Sequence, residues 1–140
     1  MLCEQVMKRD VKSLTENQTA KAAARLMREA GIGFLPVCDA AGKVVGTVTD
    51  RDLVIRLAAD SGSLDTSLDK VMTHDVVACS PKDDLTRAEE LMEACRKSRI
   101  LCVDDLGRPM GVISLSDIAR YEDDQRLSKL LRTITSRESR

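Results

Sequence analysis

Aromatic residues are nearly missing from this chain: Phe34 and Tyr121 are present, and there is no tryptophan. A core must then come from Val, Leu, Ile, Ala and Met. Binding of single-stranded nucleic acid, which stacks bases on aromatic platforms, is not expected. A net excess of positive or negative charge is missing too. The formal net charge of −1 gives no general pull toward nucleic acid or an anionic membrane. No window approaches the roughly 20 apolar residues that span a bilayer. The N-terminus lacks the basic-then-apolar pattern of a secretory signal, so the cytoplasm is the expected compartment. Histidine occurs once, as His74. The five cysteines (Cys3, Cys38, Cys79, Cys95 and Cys102) include no CxxC pair, and zinc sites normally show local ligand pairs. Cys38, Cys79 and Cys102 lie in apolar runs and read as small buried hydrophobes, so no metal site is expected.

What is present is a repeat. Gly46-Thr47-Val48-Thr49-Asp50-Arg51-Asp52 recurs 65 residues later, without a gap, as Gly111-Val112-Ile113-Ser114-Leu115-Ser116-Asp117. The same offset pairs Val6-Met7 with Val71-Met72, Asp10-Val11 with Asp75-Val76, Leu26-Met27 with Leu91-Met92, Asp39 with Asp104 and Gly42 with Gly107. Of the 47 positions from Val6 to Asp52, 11 are identical to their partners, an unbroken register that points to one structural unit used twice. Each half alone is at the size where a core is marginal, so the two are expected to pack and share one.

Each repeat predicts β-α-β-β-α. A short turn at Val6-Met7 or Val71-Met72 leads to an extended segment. A polar start then opens an amphipathic helix, with Ala20, Ala23, Ala24 and Met27 at helical spacing in one copy and Leu85, Ala88, Leu91, Met92 and Cys95 in the other. Two short apolar runs follow, joined by Asp39–Gly42 or Asp104–Gly107, where glycine suits a hairpin turn. A second helix begins near Asp50 and Leu115. The expected organisation is a first repeat over 1–60, a polar linker over 61–70, a second repeat over 71–122 and a helical tail over 123–140. In the tail Leu127, Leu130, Leu131 and Ile134 form an apolar stripe, fit either to dock on the body or to dimerise.

The strongest chemical signal is the twin Gly-x-x-[Thr/Ser]-x-x-Asp. A strand ends on a hydroxyl, and a carboxylate follows one helical turn on. Thr49 or Ser114 can bond a phosphate or sugar oxygen beside a helix N-terminus, and Asp52 or Asp117 can accept the two hydroxyls of a ribose. The same spacing is that of a capping box, in which hydroxyl and carboxylate satisfy the helix start reciprocally. The two readings are compatible.

The joint order and spacing of these segments from about Leu2 to Tyr121 resembles a tandem pair of CBS domains (named for cystathionine beta-synthase). The resemblance is carried by Val6-Met7, Val71-Met72-Thr73, Phe34-Leu35-Pro36-Val37, Arg99-Ile100-Leu101-Cys102-Val103 and the two Gly-to-Asp segments. It implies an α/β (α+β) fold of two β-α-β-β-α repeats packed with pseudo-two-fold symmetry, often as a homodimer. It further implies that Thr49, Asp52, Ser114 and Asp117 hold ribose or phosphate, that Val11, Val76, Leu35 and Leu101 line an adenine slot, and that Arg99 contacts phosphate. Arg51, just inside its helix, is a second phosphate candidate. The halves differ, because Phe34 stands opposite Arg99 and Ser116 opposite Arg51 in the alignment of the repeats.

No nucleophile–base constellation is apparent, His74 reads as an exposed linker residue and no cofactor is required, so the chain is expected not to be an enzyme. The expected function is a stand-alone regulatory module for energy sensing. It would bind AMP, ADP, ATP, S-adenosylmethionine or NAD in the cleft between repeats and signal to a protein partner. The alternative is a ligand-free dimeric scaffold.

Overall fold

The computed structural model describes residues 1–60 and 62–136; Ser61 and Arg137, part of the expected linker and tail, lie outside the described residues. The elements are α1 (Cys3–Val6), β1 (Leu14–Thr15), α2 (Ala20–Ala30), β2 (Phe34–Cys38), β3 (Val44–Thr49), α3 (Asp50–Val54), β4 (Ala78–Cys79), α4 (Leu85–Cys95), β5 (Arg99–Val103), β6 (Pro109–Ser114), α5 (Leu115–Ile118) and α6 (Asp124–Thr135). A π-helical turn, Ile55–Ala59, extends α3, and a 3-10 turn covers Leu68–Lys70. The β-α-β-β-α order is present twice, in a mixed α/β fold.

Local chemistry explains the boundaries. The Thr19 hydroxyl accepts from the Ala22 N–H at 3.2 Å to open α2, and the Asp84 carboxylate accepts from the Thr86 N–H at 3.1 Å to open α4. Both helices close on a left-handed residue, Gly31 at φ 66° and Arg96 at φ 52°. Glycine adopts that conformation freely and arginine does not. The hairpin turns repeat each other as well. Asp39 accepts from the N–H groups of Ala41 and Lys43, and Asp104 from those of Leu106 and Arg108.

Each repeat forms a three-stranded sheet, β1-β2-β3 or β4-β5-β6, with the first pair parallel and the hairpin antiparallel. The first strand of each is only two residues, shorter than the expected extended segments near Val11–Leu14 and Val76–Cys79. The register places Phe34 opposite Thr49 and Arg99 opposite Ser114.

The compact units do not follow the repeats in simple succession. One unit is Lys12–Val76. The other combines Met1–Val11 with Val77–Arg140. In the second of these, Lys8 and Val112 exchange backbone hydrogen bonds at 2.9 and 3.0 Å. In the first, Thr73 and Thr47 do the same at 2.8 and 2.9 Å. These bridges are equivalent under the repeat, so the segment leading each repeat lies against the last strand of the other copy. Within the span expected as a linker, Thr66 O accepts from the Ala20 N–H, and the Leu68 N–H donates to Gln18 O.

Glycine on β3 and β6 permits this arrangement. A Cβ at Gly46 would meet the Met72 sulfur at 2.6 Å and the Thr73 carbonyl at 2.8 Å, and a Cβ at Gly111 would meet the Met7 sulfur at 2.5 Å. The space opened by each glycine holds a methionine from the leading segment.

Each unit has its own core. In one, Leu14, Leu35, Val37, Val48, Leu68 and Met72 pack with Ala20, Ala23 and Met27; in the other, Cys3, Met7, Cys79, Ile100, Cys102 and Ile113 pack with Ala88 and Met92. Val103, beside a register shift at the end of β5, is only half-buried. The tail is not a continuation of α5. Asp123 caps a new helix, α6, which buries Leu130 and Ile134 against the same core as α4.

Candidate functional site

Both strand–helix junctions are closed capping boxes. At the first, the Thr49 hydroxyl accepts from the Asp52 N–H at 3.0 Å, and Asp52 Oδ2 accepts from the Thr49 N–H at 3.0 Å. At the second, the Ser114 hydroxyl accepts from the Asp117 N–H at 3.3 Å, while Asp117 Oδ2 accepts from the Ser114 N–H at 2.9 Å. The Ser114 hydroxyl also lies 2.9 Å from Asp117 Oδ2 and 2.8 Å from the Ser116 hydroxyl. Each cap engages Oδ2. A carboxylate has about four acceptor positions, so each Asp retains capacity on Oδ1. The helices that follow, α3 and α5, span five and four residues, so the macrodipole expected to favour a phosphate is small here.

The surroundings of the two carboxylates differ. Asp117 is buried, its side chain 6% exposed, and its Oδ1 is 3.5 Å from the Nζ of Lys8, which is 68% exposed. Arg99 is exposed on β5 directly across from Ser114. Asp117, Ser114, Arg99 and Lys8 therefore form one group: a strand-end hydroxyl and carboxylate with two cations at the surface. Around Asp52 the position equivalent to Lys8 is Thr73 and the position equivalent to Arg99 is Phe34. Arg51, exposed in the first turn of α3, supplies the cation there.

The expected apolar positions separate. Leu35 is fully buried and packs in the core with Val37 and Val48. Leu101 is also buried, but it alternates with Ile100 and Cys102 and so faces the opposite side of its strand from them. Val11 and Val76 are half-buried at the ends of the leading segments. His74 is exposed.

Lys8 escaped the reading of the sequence. Its only local signal is its place after Val6-Met7, and its approach to Asp117 depends on the pairing of the leading segment with β6.

Comparison with known proteins turns this repeated β-α-β-β-α unit into a family assignment. The CBS domain model matches residues 3–59 and again 68–124. The chain belongs to the CBS domain family. The CBS domain-containing protein YhcV of Bacillus subtilis is 33% identical over 113 residues, which cover 81% of this chain and 79% of YhcV. MJ1404 of Methanocaldococcus jannaschii is also 33% identical, over 94 residues that make up 67% of this chain; the chain spans only 22% of that protein's length. Among solved structures, the CBS domain protein TA0289 of Thermoplasma acidophilum superposes with a TM-score of 0.82 at 25% identity, covering 95% of this chain and 75% of that one. The CBS domain pair of MJ0100, in complex with 5'-methylthioadenosine and S-adenosyl-L-methionine, gives a TM-score of 0.76 at 24% identity, covering 86% of this chain and 94% of the other. The two matched stretches include all six strands and stop where α6 starts, and no described helix is long and apolar enough to cross a membrane.

Proposed function

We propose that this CBS chain is a regulatory module, not an enzyme, that binds adenosine-containing ligands at the strand–helix junctions of Asp52 and Asp117. The observation that carries the reading is the group Lys8, Arg99, Ser114 and Asp117. A cap needs only the hydroxyl and the carboxylate, and the two exposed cations add what an anionic ligand would use. Asp117 Oδ1 accepts from a ribose hydroxyl, Lys8 turns from that oxygen to a phosphate, and Arg99 binds phosphate beside Ser114. A charge-assisted bond of this kind contributes about 1.5–3 kcal/mol. At the Asp52 junction, Thr49 and Arg51 play the matching parts, with Val76 beside the adenine; Val11 serves the Asp117 junction. Leu101 contributes apolar surface to the same slot. The MJ0100 complex supports the reading to the extent that this fold can hold adenosine ligands.

The ligand class includes AMP, ADP, ATP, S-adenosylmethionine and NAD. We place the module in the cytoplasm, as a homodimer that passes ligand occupancy to a protein partner by shifting a conformational equilibrium. The exposed apolar residues Val54 and Ile55, at the end of α3 and just beyond it, suit self-association. The competing reading is a ligand-free scaffold, favoured by the fact that both capping boxes are already closed.

Calorimetric titration with AMP, ATP and S-adenosylmethionine separates the two. As a binding module, Asp117→Ala weakens one site by roughly tenfold to several hundredfold and leaves the Asp52 site, and Asp52→Ala does the reverse. As a scaffold, wild type gives no binding heat, and each variant loses only the ~1 kcal/mol of a cap.

A further inference from the structure

Three cysteines that are far apart in the sequence meet in the core of one unit. Cys3 comes from α1, Cys79 from β4 and Cys102 from β5; all three are buried and unbridged. The Cys79 sulfur lies 3.8 Å from that of Cys3 and 3.6 Å from that of Cys102, and the three sulfurs lie within 4.8 Å of one another. Among the described residues this is the one set of His, Cys, Asp and Glu side chains whose donor atoms converge in this way. From these observations we infer that Cys3, Cys79 and Cys102 form a closed three-thiolate site for a soft, thiophilic metal ion.

The other compact unit is an internal control. The positions matching Cys3, Cys79 and Cys102 at the 65-residue offset are Leu68, Leu14 and Val37, and all three lie in that unit's core. The fold therefore fills the same three places with aliphatic side chains where only packing is asked. Thiols at all three places in one unit and at none of the matching places in the other, whose one thiol, Cys38, lies elsewhere, distinguish a donor set from small hydrophobes scattered by chance.

The spacing suits coordination. A metal–sulfur bond of about 2.3 Å at tetrahedral to trigonal angles sets sulfurs about 3.8–4.0 Å apart, close to the separations seen. An all-sulfur donor set selects soft ions such as copper(I) and zinc(II) over magnesium or calcium. Binding needs no oxidant or reductant. Each thiol releases its proton to solvent as its sulfur pair bonds the metal, so three thiolates leave a net −1 charge around a divalent ion and −2 around a monovalent one. Occupancy would clamp α1 to β4 and β5, and through α1 hold Lys8 at its place beside Asp117.

The test is anaerobic titration of the reduced, metal-free chain with cadmium(II), zinc(II), and copper(I) buffered by a competing chelator. The comparison is the triple variant Cys3→Leu, Cys79→Leu, Cys102→Val, which installs the residues of the twin unit and retains Cys38 and Cys95. Expected are one equivalent of cadmium(II) with thiolate-to-metal charge-transfer absorption, and three sulfur neighbours by X-ray absorption. In the variant, affinity should fall by more than the roughly 10–100-fold that loss of a mere outer-shell partner costs. The zinc(II) and copper(I) arms show which ion competes best, and tight one-to-one binding of either supports the site. Wild-type binding no tighter than the variant's, or fewer than three sulfur neighbours, overturns it. If the triple variant does not fold, Cys102→Val alone is read in the same way.

Discussion

The Nζ of Lys8 stands 3.5 Å from Oδ1 of Asp117, tying the leading segment of the chain to the strand–helix junction of the second repeat. Thr73 occupies the same place in the other unit, so the chain carries one junction with a leading-segment cation and one without. The two junctions, built on one plan, therefore differ in where their cations come from: Lys8 and Arg99 beside Asp117, Arg51 beside Asp52.

Lys8→Ala should test that difference. Lys8 is largely exposed, so the variant's stability should stay within about 0.5 kcal/mol of wild type. ATP binding at the Asp117 junction should weaken by about fivefold, the equivalent of ~1 kcal/mol, while adenosine, which has no phosphate, should be affected little. Calorimetry with both ligands decides the matter. Equal losses for ATP and adenosine would show that Lys8 positions the junction instead of meeting a phosphate.

Arg96→Gly should stabilise the chain. Arg96 is the one non-glycine residue with positive φ among the described residues, and Gly31 fills the same helix-ending place in the other copy. Relief of the left-handed strain, offset by the greater freedom of an unfolded glycine, should leave a gain of up to about 1 kcal/mol. A rise in the urea midpoint at constant m-value is the expected readout; a fall would contradict it.

Gly46→Ala and Gly111→Ala should both destabilise, by about 1–3 kcal/mol through overpacking. Gly46→Ala should be the worse, because its Cβ meets the Thr73 backbone carbonyl as well as Met72, whereas Gly111 faces only the flexible side chain of Met7 among its nearest neighbours. Denaturant melts of the two variants side by side give the order directly.

Glu89 predicts a pH dependence. It is buried on α4 beside Arg126, with Nε to Oε1 at 3.5 Å, and Arg126 also pairs with Glu93 at 2.5 Å. Burial, and next the neighbouring Glu122, push its carboxyl up to about 7, against the pull of Arg126. An unfolded glutamate titrates near 4.3, so between those values the folded chain keeps a proton that the unfolded chain has lost. Stability from this group should be greatest below about 4.3, fall as pH rises and level off above about 7, a change of about 3–4 kcal/mol. Glu89→Gln should flatten that slope in melts between pH 5 and 8. An unchanged slope would assign the effect to other groups.

The repeat made much of the architecture readable. Hairpins marked by Asp39–Gly42 and Asp104–Gly107 and hydroxyl–carboxylate junctions at Thr49 and Ser114 are local patterns, set by short-range sterics and hydrogen bonding. The pairing of Lys8 with Val112, and of Thr73 with Thr47, is a long-range choice that leaves no periodic trace. Hence Lys8 went unnoticed at its site, and Cys3, which lies 76 residues from Cys79, showed no sign of a partner. β2 is apolar along its whole length, so its residues show no alternation to say which face holds the core with Leu35.

The discontinuous unit has a consequence for the order of events on the ribosome. Lys12–Val76 is contiguous and can close as soon as it clears the exit tunnel, in keeping with the tendency of domains to fold as they emerge. Met1–Val11 is made before Lys12–Val76 yet has no strand to meet until Val112 has been synthesised. The segment carrying Val6 and Met7 must therefore wait for its partner strand until the residues up to Val112 have been made.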